Sequence, residues 1–458
     1  MTEVIQKSLR DNVFARWAVL IMIALTMFFA YMFVDVLSPL KSMLSDAPYN
    51  WNDTVFGYYG GSEFVLNVFF LFLIFAGIIL DKMGVRFTAV LSGGLMVIGA
   101  LIKVYALSDA FNDGGFGFSV LNSFWTAMPP SAKLACLGFM VFGCGCEMGG
   151  VTVSRAIVKW FHGKEMALAM GIEMAIARLG VFAVFRLSPI IAERTGGVQM
   201  PVIFSCLLLA IGLLFYLIYG ILDRALDKEG GNTVVAEEED PFRFSDLGKI
   251  FGNGVFWVVA LLCVLYYSAI FPFQKFATEM LQQNLGLDAK TAAGIFSWFP
   301  IGAMVITPFL GAFLDFVGKG ATMLIVGSIL MIGCHLTFAI YPFVPGDTTS
   351  FVIAMVAIVL LGISFSLVPA SLWPSMPKLI DAKVLGSAYS ATFWIQNVGL
   401  MLVPIVIGSV LKATGSYRMP MLIFASFGVA ALVLSVFLKG LDAKRGYGLE
   451  LPNSKKKN

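Results

Sequence analysis

Within residues 143–161, GCGCEMGGVTVSRAIVKWF, a single glutamate, Glu147, sits in a glycine- and cysteine-rich apolar run long enough to belong to a membrane span. A charge near the centre of a membrane helix costs ~2.5–3.5 kcal/mol on insertion scales, so such a group must face a cavity or a partner. The next apolar run carries Glu173, Arg178 and Arg186, and Lys103 and Lys275 lie nearer the ends of theirs. Glu147 and Arg178 fall close to the midpoints of consecutive, antiparallel segments and reach the same depth. A guanidinium fork suits a carboxylate and a carboxylate suits an ammonium group, so the two could hold the ends of a zwitterion. The alternative is a structural ion pair tying the two helices together, which is compatible with the first reading if the pair opens when substrate arrives. Arg186, eight residues beyond Arg178, lies roughly 12 Å further along a helix. It is a second cation for the site or an anchor at the helix end.

The elements that must position these charges follow from composition. The chain has 458 residues, of which 59% are hydrophobic and 13% charged, against roughly 25% charged in soluble domains. No soluble core of this length hides so much apolar surface. The net charge of +3 gives no sign of a nucleic-acid partner. Six dispersed cysteines and two distant histidines, His162 and His335, offer no metal-ligand spacing, so no metal or cofactor is expected. No nucleophile–base constellation points to an enzyme.

About twelve stretches have the ~20 apolar residues that a membrane crossing needs, at 17–40, 55–79, 88–108, 133–156, 166–193, 200–221, 253–280, 290–314, 321–342, 350–377, 384–413 and 419–438. The fold class is therefore all-α and integral to the membrane, with twelve transmembrane helices in two pseudo-symmetric six-helix halves. The halves span 17–221 and 253–438. They are flanked by an N-terminal tail, 1–16, a polar and acidic linker, 222–252, and a basic tail, 439–458. Lysine and arginine crowd the loops on the side of the termini: Arg10, Arg16, Lys82, Arg86, Arg155, Lys159, Lys164, Arg224, Arg243, Lys319, Lys378, Lys383 and the final lysines. That bias puts both termini inside. The loop 108–130 on the opposite side is unusually long.

A repeat supports the two halves. GIILDKMGVR carries Gly77, Asp81, Gly84 and Arg86; GAFLDFVGKG carries Gly311, Asp315, Gly318 and Lys319. Both read G-x-x-x-D-x-x-G before a basic residue, half a chain apart. Glycine permits close approach and a tight turn, and the aspartate can cap a neighbouring helix N-terminus. The pair resembles the cytoplasmic gating motif of the major facilitator superfamily. Prolines and aromatics mark further candidates: Tyr266, Tyr267 and Pro272 in YYSAIFPF, Trp373 among Pro369, Pro374 and Pro377, and Gln396 and Asn397 in IQNVGL. Proline frees backbone carbonyls and permits the helix breaks seen in transport proteins. Gly143, Gly145, Gly149 and Gly150 are expected to leave room beside Glu147, and Asp35 to mark an entrance or a solvated helix end.

Taken together, GCGCEMGG, WFHGKEMALAMGIEMAIARLG, YYSAIFPF, SLWPSMP, LGSAYS and IQNVGL resemble the family of the lysosomal dipeptide transporter within that superfamily. The resemblance implies dipeptide uniport by alternating access, with Glu147 and Arg178 contacting the peptide termini. Arg186, Lys275 and the long 108–130 loop depart from the family pattern. The short N-terminal tail shows no acidic dileucine signal, so a cell or inner membrane is expected, without an accessory subunit and with a monomeric chain. The leading expectation is transport of small zwitterions, with substrate groups Glu147, Arg178, Tyr266, Tyr267, Trp373, Gln396, Asn397 and Arg186. The alternative is an anion carrier using Arg178, Arg186 and Lys275, with Glu147 as a proton-coupling carboxylate. A non-transporting scaffold or sensor is the third reading, disfavoured by charges facing a cavity.

Overall fold

A computed structural model describes residues 9–162, 164–228 and 243–452. The first eight residues, most of the acidic linker and the lysines of the final tail lie outside the described residues. Eleven helices among those described are long and apolar enough to cross a membrane. The twelfth crossing is made in pieces. Span 1 is Val13–Val34. Span 2 comprises Asp53–Ser62, Val65–Phe69 and the start of the helix Phe72–Ala106, which breaks at Gly84 (φ 78°, ψ 168°) before continuing as span 3. Spans 4, 5 and 6 are Pro130–Phe161, Met166–Thr195 and Gln199–Lys228. Span 7 is Gly254–Leu285, and span 8 runs through Ala289–Phe296 and Trp298–Phe316. Spans 9 to 12 are Gly320–Ile340, Thr348–Leu379, Leu385–Thr414 and Arg418–Arg445.

Local sequence explains where these helices begin. Asn12, Asn253 and Asp347 each accept a backbone N–H of the first turn through their side chains, at 3.0 Å to Phe14, 3.0 Å to Val255 and 2.8 Å to Ser350. Such caps satisfy donors that a helix start leaves unpaired. On span 6, Leu207, Ile211, Leu214, Ile218 and Ile221 recur at helical spacing and stay exposed. An apolar stripe of that length is a lipid-facing surface. Prolines do not break spans 7 and 10, contrary to the expectation from sequence: Pro272, Pro369, Pro374 and Pro377 all lie inside continuous helices. The break falls instead in span 2, which holds no proline there, where Leu71 adopts a left-handed backbone (φ 51°).

The two halves meet along span 2 against span 11 and span 5 against span 8. Contact is tightest on the face away from the chain termini, the distal face. A Cβ on Gly57 would lie 2.4 Å from the Pro404 carbonyl oxygen, and one on Gly61 would lie 2.2 Å from that of Met401. Only glycine allows backbones to approach this closely. Towards the terminal face, among the described residues, the ion pairs stay within one half, as Arg86 with Asp227, Arg155 with Asp81 and Lys439 with Glu450 do, whereas Lys275 with Asp35 and Lys290 with Glu193 join the halves distally. The molecule is closed distally and open on the side of its termini.

Gly61→Ala should therefore push spans 2 and 11 apart, at about 1–3 kcal/mol against the distally closed form. In a background lacking native cysteines, a cysteine at buried Met401 should react faster with an impermeant maleimide when Gly61→Ala is present. Unchanged labelling would show that this seam is not under steric control.

Candidate functional site

Glu147 and Arg178 sit at mid-depth on spans 4 and 5, partly exposed to the open interior. They do not form an ion pair: among the described residues neither has a hydrogen-bonding or ionic partner. The structural-pair reading is thereby set aside. Arg178 instead lays its guanidinium over the ring of Phe365 at 4.7 Å, across the seam on span 10. Tyr31, on span 1, lies within electrostatic reach of Glu147, Glu173 and Arg178 together, and Tyr267 within reach of Arg178. A cation–π contact orients a guanidinium while leaving its N–H edge free. The opening beside Glu147 is narrower than its glycines suggest. Gly143 packs against the Glu63 backbone, Gly145 against Ser92 and Met96 of span 3, and Gly149 against Ser92, Met27 and Tyr216; of these four glycines, Gly150 faces open space.

The second half supplies an aromatic wall. Trp373 Nε1 donates to Tyr267 Oη at 3.1 Å. Tyr267 stacks on Phe271 at 5.6 Å and Trp373 on Phe393 at 4.8 Å. Of the candidates from sequence, Tyr267 and Trp373 share this wall with Arg178. Tyr266 does not: it is buried and its hydroxyl bonds the Leu324 carbonyl at 2.6 Å and Ser328 at 2.7 Å, tying span 7 to span 9. One residue along a helix turns a side chain by about 100°, which separates the two tyrosines. Gln396 is buried, accepting from Cys263 Sγ at 3.2 Å, and Asn397 is buried beside it. Arg186 leaves the cavity altogether. Its guanidinium lies 5.8 Å from the Phe182 ring and 5.9 Å from Trp298, anchoring span 5 to span 8 distally.

Three charges that snorkelling or solvation would have explained are buried instead. Lys275 reaches Asp35 at 3.2 Å and Glu63 at 4.0 Å, and donates to the Val34 carbonyl at 3.0 Å. Gln274 also bonds Asp35. Lys103 is fully buried, donates to Tyr59 Oη at 2.7 Å, and lies 4.0 Å from the Phe33 ring and 3.9 Å from that of Phe139. Because Lys275 and Gln274 belong to the second half and Asp35 and Glu63 to the first, this cluster spans the seam. Nearer the distal surface Lys41 pairs with Asp53 at 2.5 Å and with Glu279, which Tyr417 also bonds. Lys290 and Glu193 add an exposed cross-seam pair at 2.9 Å.

At the terminal face the repeated motif does different work in each half. Asp81 caps no helix; it pairs with Arg155 of span 4 at 3.2 Å. Arg86 pairs with Asp227 at 2.8 Å, and Lys159 with Asp223 and Asp227 at 2.7 Å each. Gly84 supplies the left-handed turn, whereas Gly77 and Gly311 have no close neighbour, and Asp315 is exposed. Gly318 (φ 83°) turns beneath the C-terminal segment, where a Cβ would meet the Glu450 carbonyl oxygen at 2.5 Å. Glu450 accepts from the Thr322 N–H at 2.8 Å, so the capping carboxylate of span 9 comes from the tail.

A family model described as Major Facilitator Superfamily matches residues 23–393 and 273–455. The chain is 27% identical over 411 residues to the lysosomal dipeptide transporter MFSD1 of Bos taurus, covering 87% of this chain and 76% of that protein. With the Danio rerio protein of the same name it shares 29% over 401 residues, 84% and 78% of the two chains. The crystal structure of the nucleoside transporter NupG superposes with a TM-score of 0.68 at 14% identity, covering 92% of this chain and 99% of that one.

Removing the Lys275 ammonium strands Asp35 and Glu63 together. Lys275→Ala is expected to destabilise the distally closed protein by about 3–5 kcal/mol, the range for breaking a buried pair. Thermal unfolding should show the loss, and adding Asp35→Asn should restore part of it. A double variant no more stable than Lys275→Ala would argue against direct pairing.

Proposed function

This chain belongs to the major facilitator superfamily, and on that premise we propose that it carries dipeptides across the membrane by alternating access, as a uniporter. The observation that carries this reading is the pair of unpartnered opposite charges, Glu147 and Arg178, facing the interior at one depth. A dipeptide's ammonium group meets Glu147 and its carboxylate meets the exposed edge of Arg178, with Tyr31 within electrostatic reach of both. Tyr267, Trp373 and Phe365 face the peptide's side chains from the second half. The twelve-span architecture supports rocking of two halves about this site.

The anion-carrier alternative is weakened by where its cations lie. Arg186 is anchored at the distal seam and Lys275 is bound by Asp35 and Glu63, leaving Arg178, of these three cations, unpaired among the described residues. Glu173 adds a second carboxylate within reach of Tyr31. Two carboxylates and one guanidinium give an ionised site an excess of negative charge. That balance favours peptides bearing a basic side chain over acidic ones.

The distribution of lysine and arginine supports a cytoplasmic terminal face, so the conformation described is inward-open. We place the protein in a cell or inner membrane; the named relatives are lysosomal. One chain holds both the binding charges and the distal seam, so a monomer suffices without an accessory subunit.

Thermal stabilisation of the purified protein by a ligand panel tests the reading. Dipeptides should raise the melting temperature, a ligand at 100 times its Kd contributing ~2.7 kcal/mol. Basic dipeptides should act at lower concentration than acidic ones. Arg178→Ala should weaken dipeptide binding at least roughly 30-fold, as expected for a charged pair worth ~2 kcal/mol or more. Stabilisation by a small anion such as acetate or sulfate, with none by dipeptides, would replace this reading by the anion carrier.

A further inference from the structure

Asn67, on the short helix Val65–Phe69 of span 2, is 2% exposed, and neither its amide nitrogen nor its amide oxygen has a partner. A buried side-chain amide with both atoms unbonded is uncommon and unfavourable unless something else pairs with it. Its position is fixed by register. Spans 2 and 4 run in the same direction, and Glu63 packs directly on Gly143, where a Cβ would lie 2.1 Å from the Glu63 carbonyl oxygen. Glu63 and Phe64 join Asp53–Ser62 to Val65–Phe69 with right-handed helical backbone (φ −51° and −100°), and the Val68 N–H bonds the Phe64 carbonyl at 2.9 Å, so the winding carries through the turn and a step of four residues on each span stays near the same face and depth. That step leads from Glu63 to Asn67 and from Gly143 to Glu147. The segment is braced from the other half: Trp394 Nε1 donates to the Val68 carbonyl at 2.9 Å, next to the break at Leu71.

We propose that Asn67 is a substrate-binding residue that reads the first peptide carbonyl, resting on the assignment of Glu147 to the substrate's ammonium group. In a dipeptide the ammonium nitrogen and the first carbonyl oxygen are separated by two carbons, so both fall within the span of one carboxamide. Asn67 Oδ1 accepts from the ammonium beside Glu147, and Nδ2 donates to the carbonyl. Glu147 alone cannot tell a dipeptide from any ω-amino acid of equal length. An amide presenting one acceptor and one donor can, because a ligand lacking the carbonyl leaves Nδ2 buried and unpaired.

The test compares three ligands of equal backbone length: glycylglycine, 5-aminolevulinate, which keeps the first carbonyl but lacks the amide N–H, and 5-aminopentanoate, which lacks both. In the unaltered protein, binding should favour glycylglycine and 5-aminolevulinate over 5-aminopentanoate by at least roughly tenfold. In Asn67→Leu the preference should fall to within about threefold, with the unliganded melting temperature unchanged or raised, because an unpaired buried amide has been replaced by an apolar group. Asn67→Asp, nearly isosteric, keeps the acceptor and loses the donor, and should lose the same preference even if the leucine variant folds poorly. A tenfold preference retained in both variants overturns the role of Asn67 while leaving dipeptide binding standing. If none of the three ligands binds the unaltered protein, the dipeptide assignment fails and this proposal with it.

Discussion

The two halves are held shut on one side by a lysine from one half buried between two carboxylates of the other. Lys275 with Asp35 and Glu63, completed by Gln274, sits on the distal side of Glu147 and Arg178. Lys103, enclosed by aromatic rings nearby, adds a second buried amine that donates to Tyr59. Charges so placed are tolerable only while paired, since removal of one partner exposes the full desolvation cost of the other. That makes the cluster a two-state device. It is satisfied when the distal seam is shut, and it must exchange lysine for water when the seam opens. The glycine contacts of span 2 with span 11 let the backbones come close enough for the cluster to form.

The cavity works by the opposite rule. Among the described residues Glu147 and Arg178 have no hydrogen-bonding or ionic partner and the Asn67 amide is unbonded, in contrast to the paired charges of the distal cluster. A ligand that completes them changes the energy of the occupied state without having to break an existing pair first. Arg178 is held by Phe365 of the second half, so a ligand drawing on its guanidinium also acts on a contact across the seam. A carrier needs such a link, because a ligand shifts a conformational equilibrium only through contacts that differ between states.

Much of this was legible in the sequence. Apolar run length gave the twelve crossings, and two copies of the G-x-x-x-D-x-x-G pattern gave the two halves. Depth along consecutive spans set Glu147 and Arg178 level with each other. Depth is a one-dimensional quantity, and the errors arose where direction around a helix decides. Tyr266 and Tyr267 are neighbours in sequence, yet one faces span 9 and the other the cavity. Lys103 and Lys275 lie near span ends, where snorkelling is the ordinary outcome. Both turn inward because partners on other spans await them. Asp35 and Glu63 were invisible as partners for the same reason. The break in span 2 lacks the proline that would have signalled it, while the prolines of spans 7 and 10 sit inside continuous helices. The distal seam was not read from sequence, although the spacing of Gly57 and Gly61 carries a signal for it.

The central claim is that substrate held by Glu147 and Arg178 governs opening of the distal seam. Pulsed electron spin resonance between labels at exposed Asp46 and Ser416, one on each half near the distal surface, measures it directly. Without ligand a single short distance should dominate. A saturating dipeptide should populate a second, longer distance in the unaltered protein and leave Arg178→Ala unchanged. A distance distribution that ignores bound dipeptide, or a ligand-induced shift that persists in Arg178→Ala, would contradict the account.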